Sequence, residues 1–282
     1  MSDESTAPRW DPGQYLRHAD HRLRPLRELL DRIADGPRPP AAPGAPPRVA
    51  DLGCGPGTPT RMIAARFPGA RVTGWDNSQE MLEAAREHAG PAPGGGLVDF
   101  ARADLADWRP TEPHGLIVSN AALQWVPGHA GRFPEWVAGL LPGGVLAFQV
   151  PDNFGAPGHV LLRELCASPR WRDRLGGVLR GPAPILDPDG YHDALAATGC
   201  SVDLWTTEYR QLLTGPDPVL EWTRGTALLP VLTALADAPE EREAFLAEYA
   251  ERLREAYPRR PDGTTVFPFR RLFAVARRPA GA

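Results

Sequence analysis

Apolar and polar positions alternate along this chain in three different ways. From Tyr15 to Ala34, "YLRHADHRLRPLRELLDRIA" places Leu16, Leu23, Leu26, Leu30 and Ile33 near helical spacing. Pro25 lacks an amide hydrogen, so two helical pieces are expected, one on each side of it. Residues 35–47, "DGPRPPAAPGAPP", mix Pro, Gly and Ala and predict a linker. Beyond it, short apolar runs alternate with helical periods. "RVADL", "RVTGW", part of "GLVDFARAD", "GLIVSN" and "GGVLAFQV" read as strands, while "PTRMIAARF", "SQEMLEAAREH" and "GRFPEWVAGLL" read as helices. Such alternation predicts an α/β fold, a doubly wound and mostly parallel sheet over residues 48–150.

After Val150 the rhythm breaks. Helices are expected at "GHVLLRELC" and "DGYHDALAATG", then a strand at "SVDLWTTEY". Two helical stretches follow, "DPVLEWTRGTALLPVLTAL" and "EEREAFLAEYAERLREAY", before a last strand at "FPFRRLFAVARR". Residues 151–282 thus complete a seven-stranded sheet and insert a helical cap before its last strand. A loop rich in Gly is expected from Pro91 to Gly96.

Composition adds limits. A net charge of −4 and a pI near 6.0 give no reason to expect nucleic acid as a partner. No Lys occurs, so all 31 basic residues are Arg. Cys54, Cys166 and Cys200 are scattered and suggest neither a disulfide framework nor a zinc site. His18 and His21 share a helix spacing but have no third ligand, so no metal is expected. The opening "MSDESTAPRW" has no apolar core, and no run approaches the roughly 18 apolar residues of a membrane span, so a cytoplasmic protein is expected. Nothing in the pattern speaks to oligomeric state.

The stretch that carries chemistry is "VADLGCGPGTPT", Val49 to Thr60. A dinucleotide fingerprint would need a small residue at position 58, where Thr58 stands. Instead Asp51 precedes Gly53, Gly55 and Gly57 in a D-x-G-x-G-x-G pattern. That pattern resembles the first motif of the class I S-adenosylmethionine-dependent methyltransferases, whose sheet is Rossmann-like. Glycines there let the backbone approach the ligand closely, and a carboxylate offsets its positive charge. Asp76 ends the second strand, and an ionised carboxylate can accept both ribose hydroxyls. The resemblance assigns Asp104, after the third strand, to the adenine amino group, with backbone contact from Leu105 alongside. Met81, on the second helix, is placed to pack against adenine. Asn120 and Ala121 leave the fourth strand where their backbone can face the methionine end of the cofactor.

Most of the remaining chain is similar to one family, the trans-aconitate 2-methyltransferases. The matching segments are "WDPGQYLRHADHRLRP", "SNAALQWVP", "QVPDNF", "TGCSVDLWTTEY" and "DGTTVFPFRRLFAVA". The resemblance implies methyl transfer from S-adenosylmethionine to a carboxylate of trans-aconitate. It also implies that residues 1–34 form a helical lid bearing Trp10 and Tyr15. A carboxylate is already ionised at neutral pH and is itself the nucleophile, so no general acid or base is required. Gln124, Trp125 and Tyr15 are then expected to position the reactants and exclude water. An acid with up to three negative charges calls for Arg, and the candidates are Arg22, Arg24, Arg224, Arg270 and Arg271. Adjacent strand residues face opposite ways, so only one of Arg270 and Arg271 should enter the site. Three alternatives stay open on the sequence: methylation of another small acid or secondary metabolite, a non-catalytic S-adenosylmethionine-binding protein, and an NAD-dependent oxidoreductase.

Overall fold

The computed structural model describes residues 19–33, 36–37, 44–179 and 185–281. In chain order the elements are α1 (Ala19–Asp31), β1 (Arg48–Leu52), α2 (Thr58–Arg66), β2 (Arg71–Asp76), α3 (Gln79–Ala85), β3 (Gly90–Ala92) and β4 (Gly96–Arg102). Then come β5 (His114–Asn120), α4 (Phe133–Ala138), β6 (Leu140–Pro151), α5 (Pro157–Cys166), α6 (Arg172–Leu175), α7 (Pro188–Ala196) and β7 (Ser201–Thr214). The chain closes with α8 (Pro218–Arg224), α9 (Leu229–Ala234), α10 (Pro239–Ala256) and β8 (Thr264–Arg277).

The sheet has eight strands in the order β3-β4-β2-β1-β5-β6-β8-β7. Pairs among β4, β2, β1, β5 and β6 are parallel, and β6 meets β8 antiparallel. The expected count of seven is corrected by β3, which lies in the stretch read as a Gly-rich loop. Gly90, Pro91 and Ala92 run antiparallel to Val98, Leu97 and Gly96. Pro is tolerated there because β3 is an edge strand with one side unpaired.

Two compact units make up the described chain. The sheet unit comprises residues 19–151, 185–207 and 271–281. Its central strand β5 is buried at every position, which explains the unbroken apolar run in its sequence. The core here gathers Leu52, Ile117, Phe133, Trp136, Leu146, Phe148 and Tyr191. Contrary to expectation, Pro25 does not divide the first helix; it lies inside α1. The helix buries Leu26, Leu29, Leu30 and Ile33, and packs on β6 and α2. Burial of that face, at roughly 1.5–3 kcal/mol per large aliphatic side chain, offsets the one backbone hydrogen bond that Pro removes. Trp10, Tyr15 and His18 lie outside the described residues, as do most of the linker and the side chains of His21 and Arg22.

The helical unit comprises residues 152–179 and 208–270. Here α10 packs on α5 and α8, around Leu162, Trp171, Trp222, Phe245, Tyr249 and Phe267. Two tyrosines hold the first turn of α5. Tyr249 donates to the Gly158 carbonyl at 2.9 Å, and the Gly158 amide donates to Tyr257 at 3.0 Å. Among the described residues no helix is long and apolar enough to cross a membrane.

Candidate active site

The glycine motif forms the turn between β1 and α2, at the carboxyl edge of the sheet unit. Gly53, Gly55 and Gly57 all have positive φ, at 79°, 54° and 88°. They are not equivalent. A Cβ on Gly53 would stand 2.1 Å from that of Ala122, and one on Gly57 would stand 2.9 Å from Phe100 Cζ. Those two glycines exist for packing. A Cβ on Gly55 would meet no protein atom within 4 Å, so its open face is available to a ligand.

Hydrogen bonds draw the neighbouring strand ends onto this turn. The Gly53 and Cys54 amides donate to the Trp75 carbonyl at 2.8 and 3.0 Å, and the Gly57 amide donates to Cys54. The Gly55 amide donates to Asp76 Oδ2 at 2.9 Å, while Ser78 donates its amide to Oδ1 at 2.9 Å. Burial pushes the Asp76 carboxyl up, and those backbone donors oppose the shift. Ser78 also caps α3 by accepting from the Met81 amide, so Met81 sits buried in that helix's first turn. Just past β4, Ala103 donates its amide to the Asp76 carbonyl at 3.0 Å. Asp104 follows and accepts from the Ala106 amide at 2.9 Å, shaping the turn after β4. Leu105 is buried and lies against Gly53.

Asp51 lies beneath the turn and is fully buried. Thr60 donates its hydroxyl to Oδ2 at 2.7 Å, and Oδ1 finds no hydrogen-bond partner among the described residues. Burial, with Asp76 nearby, pushes Asp51 up to about 7 against the pull of Thr60. Burial and these two carboxylates also push the Cys54 thiol far up, so it is an inert core group and no nucleophile. Sequence reasoning missed Thr60 because a Thr on a helix carries no signal of its own.

At the end of β5, Asn120 is buried and Ala121 adopts φ 54°, the one positive φ outside glycine among the described residues. This left-handed Ala turns the chain so that Ala122 can seat against Gly53. Gln124 is buried and donates Nε2 to the Ala121 carbonyl at 2.6 Å, while its Oε1 finds no partner among the described residues. Trp125 is half-buried in the same 3₁₀ turn, Leu123–Trp125. His129 is buried with one ring nitrogen 3.0 Å from the Val126 carbonyl and the other 2.7 Å from Tyr191.

The arrangement suits a cation and not a phosphate. Anion-binding turns aim free amide hydrogens at the ligand. In this turn the amides of Gly53, Cys54, Gly55 and Gly57 all donate within the protein. Among the described residues, one buried donor beside this turn, Trp75 Nε1, lacks a partner, as do two buried acceptors, Asp51 Oδ1 and Gln124 Oε1. A ligand bearing an ammonium and a sulfonium supplies what they lack, and S-adenosylmethionine has that chemistry.

The arginines separate clearly. Arg24 is exposed on α1 and pairs with Glu28 at 2.9 Å. Arg224 and Arg270 belong to the helical unit, where they pair with Glu221 at 2.7 Å and Asp152 at 2.9 Å. Arg270 is exposed and Arg271 buried, the opposite facing that strand geometry requires. Arg271 registers with Pro151 at the end of β6 and donates Nη1 to Gln149 Oε1 at 3.0 Å. Gln149 in turn donates Nε2 to Asn120 Oδ1 at 2.6 Å. The structure therefore joins Asp51, the glycines, Asp76, Asn120, Gln124 and Arg271 in the sheet unit. Arg24 is engaged elsewhere on that unit's surface.

Comparisons with known proteins show the fold and the family. A model described as a methyltransferase domain matches residues 49–144. Among solved structures, a YcgJ protein from Bacillus subtilis gives a TM-score of 0.54 at 14% identity, covering 90% of this chain and 100% of that one. A Haemonchus contortus phosphoethanolamine N-methyltransferase 2 gives 0.55 at 16% identity, covering 98% of this chain and 59% of that one. These likenesses support the fold. Sequence relatives go further. Trans-aconitate 2-methyltransferase of Streptomyces coelicolor is 58% identical over 99% of this chain and 89% of its own length. The Streptomyces avermitilis protein of that name is 58% identical over 98% of this chain and 99% of its own. One from Rhodococcus jostii is 49% identical over 95% and 98%. The chain belongs to the trans-aconitate 2-methyltransferase family of S-adenosylmethionine-dependent enzymes.

Proposed function

We propose that this enzyme methylates one carboxylate of trans-aconitate, giving a monomethyl ester. The cofactor turn supports the reading: its amides are committed internally, and the buried acceptors Asp51 Oδ1 and Gln124 Oε1 have no partner among the described residues. The substrate is the one named for relatives that match nearly the whole chain. S-adenosylmethionine, when bound, supplies an electrophilic methyl group on a cationic sulfur.

The protein's task is placement. Asp76 accepts from the ribose hydroxyls, and Asp51 compensates positive charge from beneath the turn. Asp104 and Leu105 meet the adenine and Met81 packs beside it. Gly55 leaves room for close approach, while Asn120 and Ala121 frame the methionine end. Gln124 and Trp125 border the reacting centre and exclude water. Arg271 takes a carboxylate of the acid, its fork held in one orientation by burial and Gln149. Arg24, Arg224 and Arg270 are each paired with a carboxylate of the protein and are given no contact to the acid.

The test is incubation of the purified enzyme with trans-aconitate and S-adenosylmethionine carrying a deuterated methyl. Mass spectrometry should show one labelled methyl on the acid, and NMR should place it on a single carboxylate as an ester. Label on carbon, or no label while the cofactor still binds, would contradict the reading.

A further inference from the structure

The buried chain of side chains from Arg271 through Gln149 to Asn120 has a direction. Guanidinium groups only donate, so Gln149 must turn its oxygen to Arg271, as the 3.0 Å contact from Nη1 to Oε1 shows. That leaves its amino group for Asn120, which therefore presents Oδ1 at 2.6 Å. Asn120 is left with Nδ2 as its outward group, a donor. All three residues are more than nine-tenths buried, so water does not readily scramble the order. The register of the strands supports it, since Asn120 stands directly opposite Gln149 and Arg271 opposite Pro151, two residues on.

We propose that Gln149 is a positioning residue that couples the two halves of the site. It holds Arg271 ready for the acid and, through the same amide, fixes Asn120 with its amino group toward the methionine carboxylate of the cofactor. The assignment rests on the carboxyl-methylation reading above for its acid half only. An amide at 149 accepts at one end and donates at the other, which a carboxylate cannot do. A carboxylate of equal size would compensate the charge of Arg271 and would force Asn120 to turn its amino group inward.

Gln149→Glu tests this with almost no change in volume. Three quantities are read on the full chain: thermal midpoint, calorimetric affinity for S-adenosylmethionine without acid, and KM and kcat for trans-aconitate. The expected result is a cofactor affinity lowered about tenfold and a KM for the acid raised about tenfold or more, in a protein that still melts cooperatively. Wild-type values for both would overturn the proposal and leave Gln149 a packing residue. Asn120→Asp is the second variant, should Gln149→Glu fail to fold. It keeps the acceptor that Gln149 uses and removes the outward donor, so cofactor affinity should again fall about tenfold. Unchanged affinity would overturn the proposal. Because the cofactor arm contains no acid, it stands or falls separately from the identity of the substrate.

Discussion

Asp51 combines full burial, a single hydroxyl donor and one unpartnered oxygen. Its folded value of about 7 lies above the 3.8 of an exposed Asp, so the folded chain holds the extra proton between those values. Its contribution to stability is complete below pH 3.8 and is lost as pH rises toward 7. A cationic cofactor favours the ionised form, so binding should expel that proton. Calorimetry at pH 7 in buffers of different ionisation enthalpy should therefore show release of about half a proton per S-adenosylmethionine. Buffer-independent heats would place Asp51 outside the site. At this scale the sequence was informative wherever a residue type is unusual for its place. An Asp between an apolar strand and glycines, or an Asp ending a strand, stands out. Gln149 does not, inside "GGVLAFQV", because its partners lie 29 and 122 residues away along the chain. Thr60 is equally silent, its meaning supplied only by Asp51 above it.

Among elements, the turn from β1 to α2 shows how one motif divides its labour. Gly57→Ala would drive a methyl against Phe100 and Ala85, at 2.9 and 3.0 Å, in a left-handed backbone. That should cost about 2 kcal/mol or more of folding stability, measured by denaturant unfolding. Gly55→Ala meets no protein atom within 4 Å and should cost only about 1 kcal/mol, from its φ. Its cofactor affinity should nevertheless fall at least about tenfold, because the methyl enters the ligand's space. Equal stability losses with unimpaired binding would refute this division. The glycine spacing in the sequence announces the turn but not which glycine serves the ligand. Pro91 hid an edge strand for a related reason: Pro and Gly ordinarily signal loops, and only the pairing with β4 makes this stretch a strand. Pro25 misled in the other direction, since burial of α1 overrides a local helix breaker.

For the whole molecule, the order of strands at the sheet's centre brings the ends of β1, β2, β4 and β5 to one edge, where the cofactor residues lie. That much follows from a βα rhythm, and the parallel core was legible for that reason. Ligand chemistry was legible in the D-x-G-x-G-x-G resemblance, and the internal commitment of the turn's amides, which no sequence displays, supports it. Substrate identity rests on relatives and on a buried Arg271 at the same edge. The most direct test is the ratio of kcat/KM for trans-aconitate to that for cis-aconitate, citrate and isocitrate, under one concentration of S-adenosylmethionine. The account predicts a preference for trans-aconitate of at least about a hundredfold, since a buried arginine site leaves charges unmatched in acids of different shape. Comparable values for all four acids, or turnover of none of them by a protein that binds the cofactor, would contradict it.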